Sequence, residues 1–238
     1  MAGNSYFQFK QFTVSQQNAA MKVGTDGVLL GAWSNVNDAR KLLDIGTGTG
    51  LIALMVAQRC EASIIAVDID EKACWDARSN VQNSPWPDRI EVVHSSFPEW
   101  LTDIDQSFDC VVSNPPFFNG DVLPKSVPRG MARHHSALPF EKLIKGVAQC
   151  LTPKGHFDVI LPVDSERQFR NIAASYRFFP ERITRVKPKP SKPVSRVLIE
   201  FRFEAITAAE EILTIETETH HEYQSEFIEL VKSYYLTL

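Results

Sequence analysis

Two periods organise the hydrophobic positions of this chain. Apolar runs of strand length lie at Lys41–Gly46, Ala62–Asp68, Ile90–His94, Phe108–Ser113 and His156–Leu161. Between them Leu51–Arg59, Glu71–Asn83, Pro139–Leu151 and Ser165–Tyr176 carry apolar residues at helical spacing. Apolar runs without strict alternation imply strands buried on both faces. Strand and helix in alternation predict an α/β fold with a parallel sheet and helices on both faces. Pro153-Lys154-Gly155 reads as a turn into the fifth of these strands. Arg182–Lys187 and Val194–Phe203 read as a last, antiparallel pair, making a seven-stranded, mostly parallel sheet. Glu222–Tyr235 reads as a closing helix.

The N-terminal end has a different pattern. Phe7 to Val14 alternates with the strand period and predicts one arm of a hairpin or a lid strand. The run Val28–Trp33 predicts a helix capped by Thr25 or Asp26. Composition alone makes Lys22 and Asp26 a solvated pair beside that helix start. Lys187-Pro188-Lys189-Pro190-Ser191-Lys192-Pro193 is a stiff, extended connector. Only a strand and a helix follow it, so it marks no domain boundary. The chain therefore reads as one domain over residues 1–238, with 1–35 as a lid and 36–238 as the core.

Composition narrows the class without changing the fold. The chain has 238 residues, 44% hydrophobic and 23% charged, as globular proteins do. It has no apolar run long enough for a membrane span and no signal pattern at Met1–Tyr6, which predicts a cytoplasmic protein without a membrane partner. Cys60, Cys74, Cys110 and Cys150 stand far apart and read as reduced, packed residues, with no metal site expected. Net charge is −4, yet residues 204–238 alone carry −7, which leaves +3 for the rest. An average of this kind hides a basic face.

The candidate chemistry sits where strands end. Gly46, Gly48 and Gly50 follow a strand and precede a helix, so the backbone can turn tightly and approach a ligand. The spacing is not the GxGxxG of a dinucleotide site, and Asp44 two residues earlier is poorly suited to a pyrophosphate. It suits a cation such as the sulfonium and amino groups of S-adenosylmethionine. Asp68 ends the second strand and can accept from both ribose hydroxyls. Ser96 and Phe97, after the third, would border an adenine.

The fourth strand ends at Asn114-Pro115-Pro116-Phe117. Two prolines cannot continue a sheet ladder, and the first holds Asn114 extended. The Asn114 side-chain carbonyl and the Pro115 backbone carbonyl can accept both hydrogens of an amino group. Phe117 offers a face on which a planar ring stacks.

Asp44–Gly50 together with Asn114–Phe117 resembles the class I methyltransferases that act on exocyclic amino or amide nitrogens. Phe9-Lys10-Gln11-Phe12, Met21–Trp33, Arg133-His134-His135 and Leu138 narrow the resemblance. They are similar to the bacterial tRNA methyltransferases that modify N6 of adenine 37 in a valine tRNA. The resemblance covers nearly the whole chain. It implies a Rossmann-like core, S-adenosylmethionine as methyl donor and a tRNA anticodon loop as partner. On it, Lys22, Thr25 and Ile69 join the cofactor set, and Lys10 joins the RNA contacts.

Other RNA contacts are read from charge. Arg182 to Ile199 holds six Lys or Arg and no acid, Lys187, Lys189 and Lys192 among them. Arg129, Arg133, His134 and His135 lie in a long segment after Phe117, and long segments without regular structure in compact domains are usually functional or mobile. Three other functions stay open: N2-methylation of guanine in rRNA, N5-methylation of protein glutamine, and a non-catalytic S-adenosylmethionine-binding RNA module. No obligate protein partner is evident.

Overall fold

The computed structural model describes residues 5–116 and 138–237. Short strands β1 (Tyr6–Gln8) and β2 (Thr13–Ser15) pair as an antiparallel hairpin, so Phe7 to Val14 is not one arm but parts of both arms with the turn between them. Helix α1 (Thr25–Trp33) follows. Its N-cap is Gly24, with no side-chain cap, so neither Thr25 nor Asp26 fills that place. Asp26 is instead held by Arg196 at 2.8 Å, while the Lys22 ammonium donates to the Gln16 carbonyl. The solvated Lys22–Asp26 pair is not formed.

The core alternates as the apolar runs require: β3 (Lys41–Ile45), α2 (Leu51–Ala57), β4 (Ser63–Asp68), α3 (Glu71–Gln82) and β5 (Ile90–His94). Then come α4 (Phe97–Thr102), β6 (Phe108–Ser113), α5 (Phe140–Cys150), β7 (Leu151–Pro162) and α6 (Val163–Ser175). The chain closes with β8 (Phe179–Lys187), β9 (Arg196–Arg202), β10 (Ala209–Thr214) and α7 (Ser225–Val231). The sheet order is β10-β8-β9-β7-β6-β3-β4-β5. Only β9 runs against its neighbours β7 and β8; β10 lies parallel to β8.

The sheet therefore has eight strands, not seven. β10 escapes the apolar pattern because it is an edge strand: only Leu213 is buried along it, so no face is written in hydrophobic residues. The turn expected at Pro153–Gly155 is absorbed into β7, which begins at Leu151 and shifts register against β6 between Phe108 and Cys110.

Alternate strand residues enter two cores, one on each face. Leu42, Ile64, Val112 and Ile160 pack with α1, α2, α7 and the hairpin. Leu43, Val67, Val111 and Val159 pack with α4, α5 and α6. Helix α1 is buried on all sides from Gly27 to Trp33. It approaches α2 so closely that a Cβ on Gly31 would lie 2.9 Å from Met55. A larger residue there would force the helices apart. None of the described helices is long and apolar enough to cross a membrane.

Candidate active site

The chain builds outward from β3 in two directions, through β4 and β5 on one side and β6 and β7 on the other. β3 and β6 are adjacent and in register, Ile45 opposite Ser113, and Ser113 Oγ donates to the Ile45 carbonyl at 2.9 Å. The glycine turn and Asn114 thus leave the sheet side by side, about one strand spacing of 4.8 Å apart. This is the switch point where open α/β sheets bind ligands.

Gly46, Gly48 and Gly50 all have positive φ, of 73°, 57° and 80°. A Cβ on Gly46 or Gly48 would meet nothing within 4 Å, so the turn faces open space. At Gly50 the constraint is closer packing, since a Cβ would touch Ala77 of α3 at 3.4 Å.

Asp44 is fully buried behind this turn. Its Oδ2 accepts from Thr47 Oγ1 at 2.6 Å, and its Oδ1 has no hydrogen-bond partner. Burial pushes its pKa to about 7; the Thr47 bond opposes the rise and the nearby Asp68 charge adds to it. A buried carboxylate with an unpartnered oxygen is costly unless a cation or donor reaches it. Asp68 is held by backbone donors, Oδ2 by Gly48 N at 2.7 Å and Oδ1 by Asp70 N at 2.8 Å. Its pKa is also raised, by burial first. Each oxygen keeps a second lone pair for a hydroxyl.

Asn114 is half-buried, Pro115 buried and Pro116 exposed. Ser96 is the half-buried N-cap of α4 and Ile69 is exposed. The Phe97 ring is turned inward, packed over Gly146 in the core, so only its backbone stays at the rim. Thr25 lines a separate cavity of about 600 Å³ with Phe7, Tyr223 and Pro188. Lys10 is exposed, its ammonium donating to the Lys232 carbonyl at 2.6 Å. Phe117, Arg129, Arg133, His134 and His135 lie outside the described residues.

The basic stretch is less free than its sequence suggests. Arg182 pairs with Glu200, Arg185 with Glu166 and Glu210, Lys189 with Glu216, and Arg196 with Asp26. Four of its six cations are thus engaged. Lys187 donates to the Pro190 carbonyl at 2.5 Å, and Lys192 is exposed. The acidic tail folds back here: Glu218 accepts from Ser191 N and Oγ at 2.8 and 2.7 Å. One further cluster joins residues that the cysteine spacing did not connect. Donor atoms of Cys110, His156 and Asp158, all buried, lie within 4.8 Å of one another.

Sequence reasoning overlooked two residues beside the glycine turn. Asp76 and Asn80 lie four residues apart on α3, each 3% exposed, and face the turn and the N-terminal segment. Polar residues at i and i+4 on the buried face of a helix were the available signal.

Strand order, glycine turn and switch-point Asn-Pro-Pro define a class I methyltransferase. Solved structures share the fold. A predicted O-methyltransferase from Agrobacterium tumefaciens superposes with a TM-score of 0.69 at 20% identity, over 88% of this chain and 96% of its own. A 16S rRNA N2 G1207 methyltransferase of T. thermophilus gives 0.57 at 18% identity, over 84% of this chain and 50% of its own. Residues 19–167 match the methyltransferase small domain family. The chain belongs to that family and, within it, to the tRNA1(Val) (adenine(37)-N6)-methyltransferases: a Bacteroides fragilis (strain YCH46) protein of that name is 46% identical over 234 residues, 98% of each chain.

Proposed function

We propose that the protein transfers a methyl group from S-adenosylmethionine to N6 of adenine 37 in a valine tRNA. The observation that carries this reading is the pairing of two strand ends. Asp44, with an unpartnered buried oxygen behind an open glycine turn, ends β3; Asn114 ends the adjacent β6. The residues present fit the donor: Asp44 for its cationic part, Gly46 and Gly48 for close backbone approach, Asp68 for the ribose, Ile69 and Ser96 at the adenine. The bound donor supplies an electrophilic methyl on a sulfonium. The T. thermophilus structure that shares the fold is a complex with AdoMet and guanosine.

The acceptor side follows from the chemistry of N6. Its lone pair is delocalised into the purine ring, which makes it a poor nucleophile. Hydrogen bonds from its two N–H groups to Asn114 Oδ1 and the Pro115 carbonyl would favour a pyramidal nitrogen. They would also aim its lone pair at the β3 side. Both oxygens lie where positive charge develops on N6, so they stabilise the transition state. No strong base is needed before attack, because the proton can leave afterwards. Alignment supplies the largest share, and effective molarity is worth roughly 7–11 kcal/mol in well-oriented systems. The base must leave its stack, which a loop nucleotide does at modest cost.

Lys10, Lys187, Lys189 and Lys192 remain the described candidates for the tRNA backbone, with Lys189 partly occupied by Glu216. The test is incubation with labelled S-adenosylmethionine and separated tRNA, rRNA and protein fractions. Label entering the tRNA as N6-methyladenine at position 37 is the expected outcome. Label in N2-methylguanine or in protein glutamine would replace this reading.

A further inference from the structure

The segment joining β2 to α1 is strapped across the glycine turn by two side chains of α3. Asp76 accepts three N–H groups of the strap: Asn18 N at 2.8 Å, Asn18 Nδ2 at 2.7 Å and Ala19 N at 2.8 Å. Asn80 reaches both structures at once. Its Oδ1 accepts from Ser15 N at 2.7 Å, and its Nδ2 donates to the Ser15 carbonyl at 2.8 Å and to the Thr49 carbonyl at 2.9 Å. Thr49 belongs to the glycine turn, and the next residue, Gly50, packs on Ala77 between the two side chains. Further along the strap, Gln16 Oε1 accepts from Val23 N at 2.7 Å, and the Gln16 carbonyl takes the Lys22 ammonium. One hydrogen-bonded path therefore runs from the glycine turn through Asn80 to the strap and Lys22.

We propose that Asn80 is a positioning residue that couples the strap to the glycine turn, so that holding the cofactor and closing the strap are a single event. The inference rests on the reading of that turn as the cofactor site. The physical reason is satisfaction. Asn80 is buried, with two of its hydrogen bonds to Ser15, where β2 runs into the strap, and one to Thr49 of the turn, so the full set forms only when strap and turn hold this one register. Moving either leaves a buried amide or carbonyl unpaired, which the fold resists. A ligand that fixes the turn must then stabilise the closed strap. By linkage, loosening the strap must weaken the ligand by the same factor.

Asn80→Ala and Asp76→Asn separate this from plain structural support. Asp76 accepts hydrogen bonds from the strap and, among the described residues, makes none with the glycine turn. S-Adenosylhomocysteine affinity is measured by calorimetry, and trypsin cleavage at Lys22 is followed with and without that ligand. In the parent protein the ligand should slow cleavage at Lys22. Asn80→Ala should weaken the ligand about ten-fold, within the usual range of coupling between linked sites. It should abolish the ligand's protection of Lys22 and raise KM for the donor more than it lowers kcat. Asp76→Asn should speed cleavage at Lys22 and weaken the ligand several-fold from a distance. The double variant should be no weaker than Asn80→Ala alone, as coupled residues are non-additive. A folded Asn80→Ala or Asp76→Asn protein with parental affinity and parental protection overturns the coupling. A parent protein that does not bind the ligand overturns the cofactor reading itself.

Discussion

Two buried acidic centres lie on neighbouring parts of one sheet, and they are built differently. Asp44 and Asp158 are both fully buried, and both carry carboxylate oxygens without a hydrogen-bond partner. Asp44 stands at the carboxyl end of β3, behind glycines that face open space. Asp158 stands inside β7, flanked by β6 and β9, with fixed charges around it. His156 is 3.6 Å away, Glu200 is its register partner, and Arg182 pairs with Glu200 at 3.3 Å while lying over the Trp33 ring. Burial raises the Asp158 pKa to about 6, against the pull of His156. An unpaired carboxylate buried behind a turn that faces open space is one that an incoming cation or donor could satisfy. One enclosed by His156 and the Arg182–Glu200 pair belongs to the fold, where buried polar and charged groups hold only as complete sets.

That contrast breaks first at His156. His156→Ala should destabilise the protein by about 3–5 kcal/mol, the usual result of removing one partner from a buried pair. Donor affinity per folded molecule should not change. Chemical denaturation together with calorimetry on the folded fraction reads both. A stable variant would place Asp158 among groups that need no compensation.

Asn114→Ala is the opposite case. Methyl transfer should fall by about 10²–10³, the cost of removing one hydrogen bond to developing charge, about 2.7–4 kcal/mol. Melting temperature and donor affinity should stay close to parental. Single-turnover methylation with saturating donor is the measurement, and a rate within a few-fold of the parent would remove Asn114 from the mechanism.

Next is the pH behaviour of Asp44. Its folded pKa of about 7 lies above the ordinary carboxylate value of 3.8. The folded protein therefore holds this proton more tightly than the unfolded chain does, and Asp44 lowers stability as pH rises from about 4 to about 7. A cationic donor selects the ionised form. Its affinity should increase with pH below about 7 and level off above, most simply read by titration in mildly acidic, near-neutral and mildly alkaline buffers. Asp44→Asn should abolish donor binding and match or exceed parental stability in the alkaline buffer. Flat affinity across the range would separate Asp44 from the donor.

The smallest effects are at the rim. Asp68→Ala should weaken donor binding by about 0.5–1.5 kcal/mol for each of the two proposed ribose hydrogen bonds, a change visible by calorimetry. Charge reversal at Lys187, Lys189 and Lys192 should flatten the salt dependence of tRNA binding, by about 0.7–0.9 in slope for each phosphate no longer neutralised. Lys189 should contribute least, since Glu216 already holds it at 3.5 Å. An unchanged slope would move the tRNA path off this connector.

Much of the candidate site was legible in the chain because its residues lie at the ends of apolar runs. Glycines after Ile45, an acid at Asp68 and prolines after Asn114 mark where strands stop, and in a parallel sheet those ends share one rim. Local sequence chemistry wrote those positions: a glycine turn needs positive φ, and a proline cannot continue a ladder. The burial of β3, β4, β6 and β7 on both faces was equally local, because unbroken apolar runs have no other stable place.

Tertiary structure alone decided the pairings. The apolar pattern missed β10, since an edge strand with one buried residue leaves no periodic mark. The basic run Arg182–Ile199 looked free of acids because its partners, Glu166, Glu200, Glu216 and Asp26, lie outside the run and meet its cations only once the sheet forms. Asp76 and Asn80 looked like ordinary helix residues until the hairpin crossed them. Sequence order fixes which residue ends a strand. Which charge faces which, and whether a buried oxygen meets a partner or open space, depends on tertiary neighbours that no local pattern encodes.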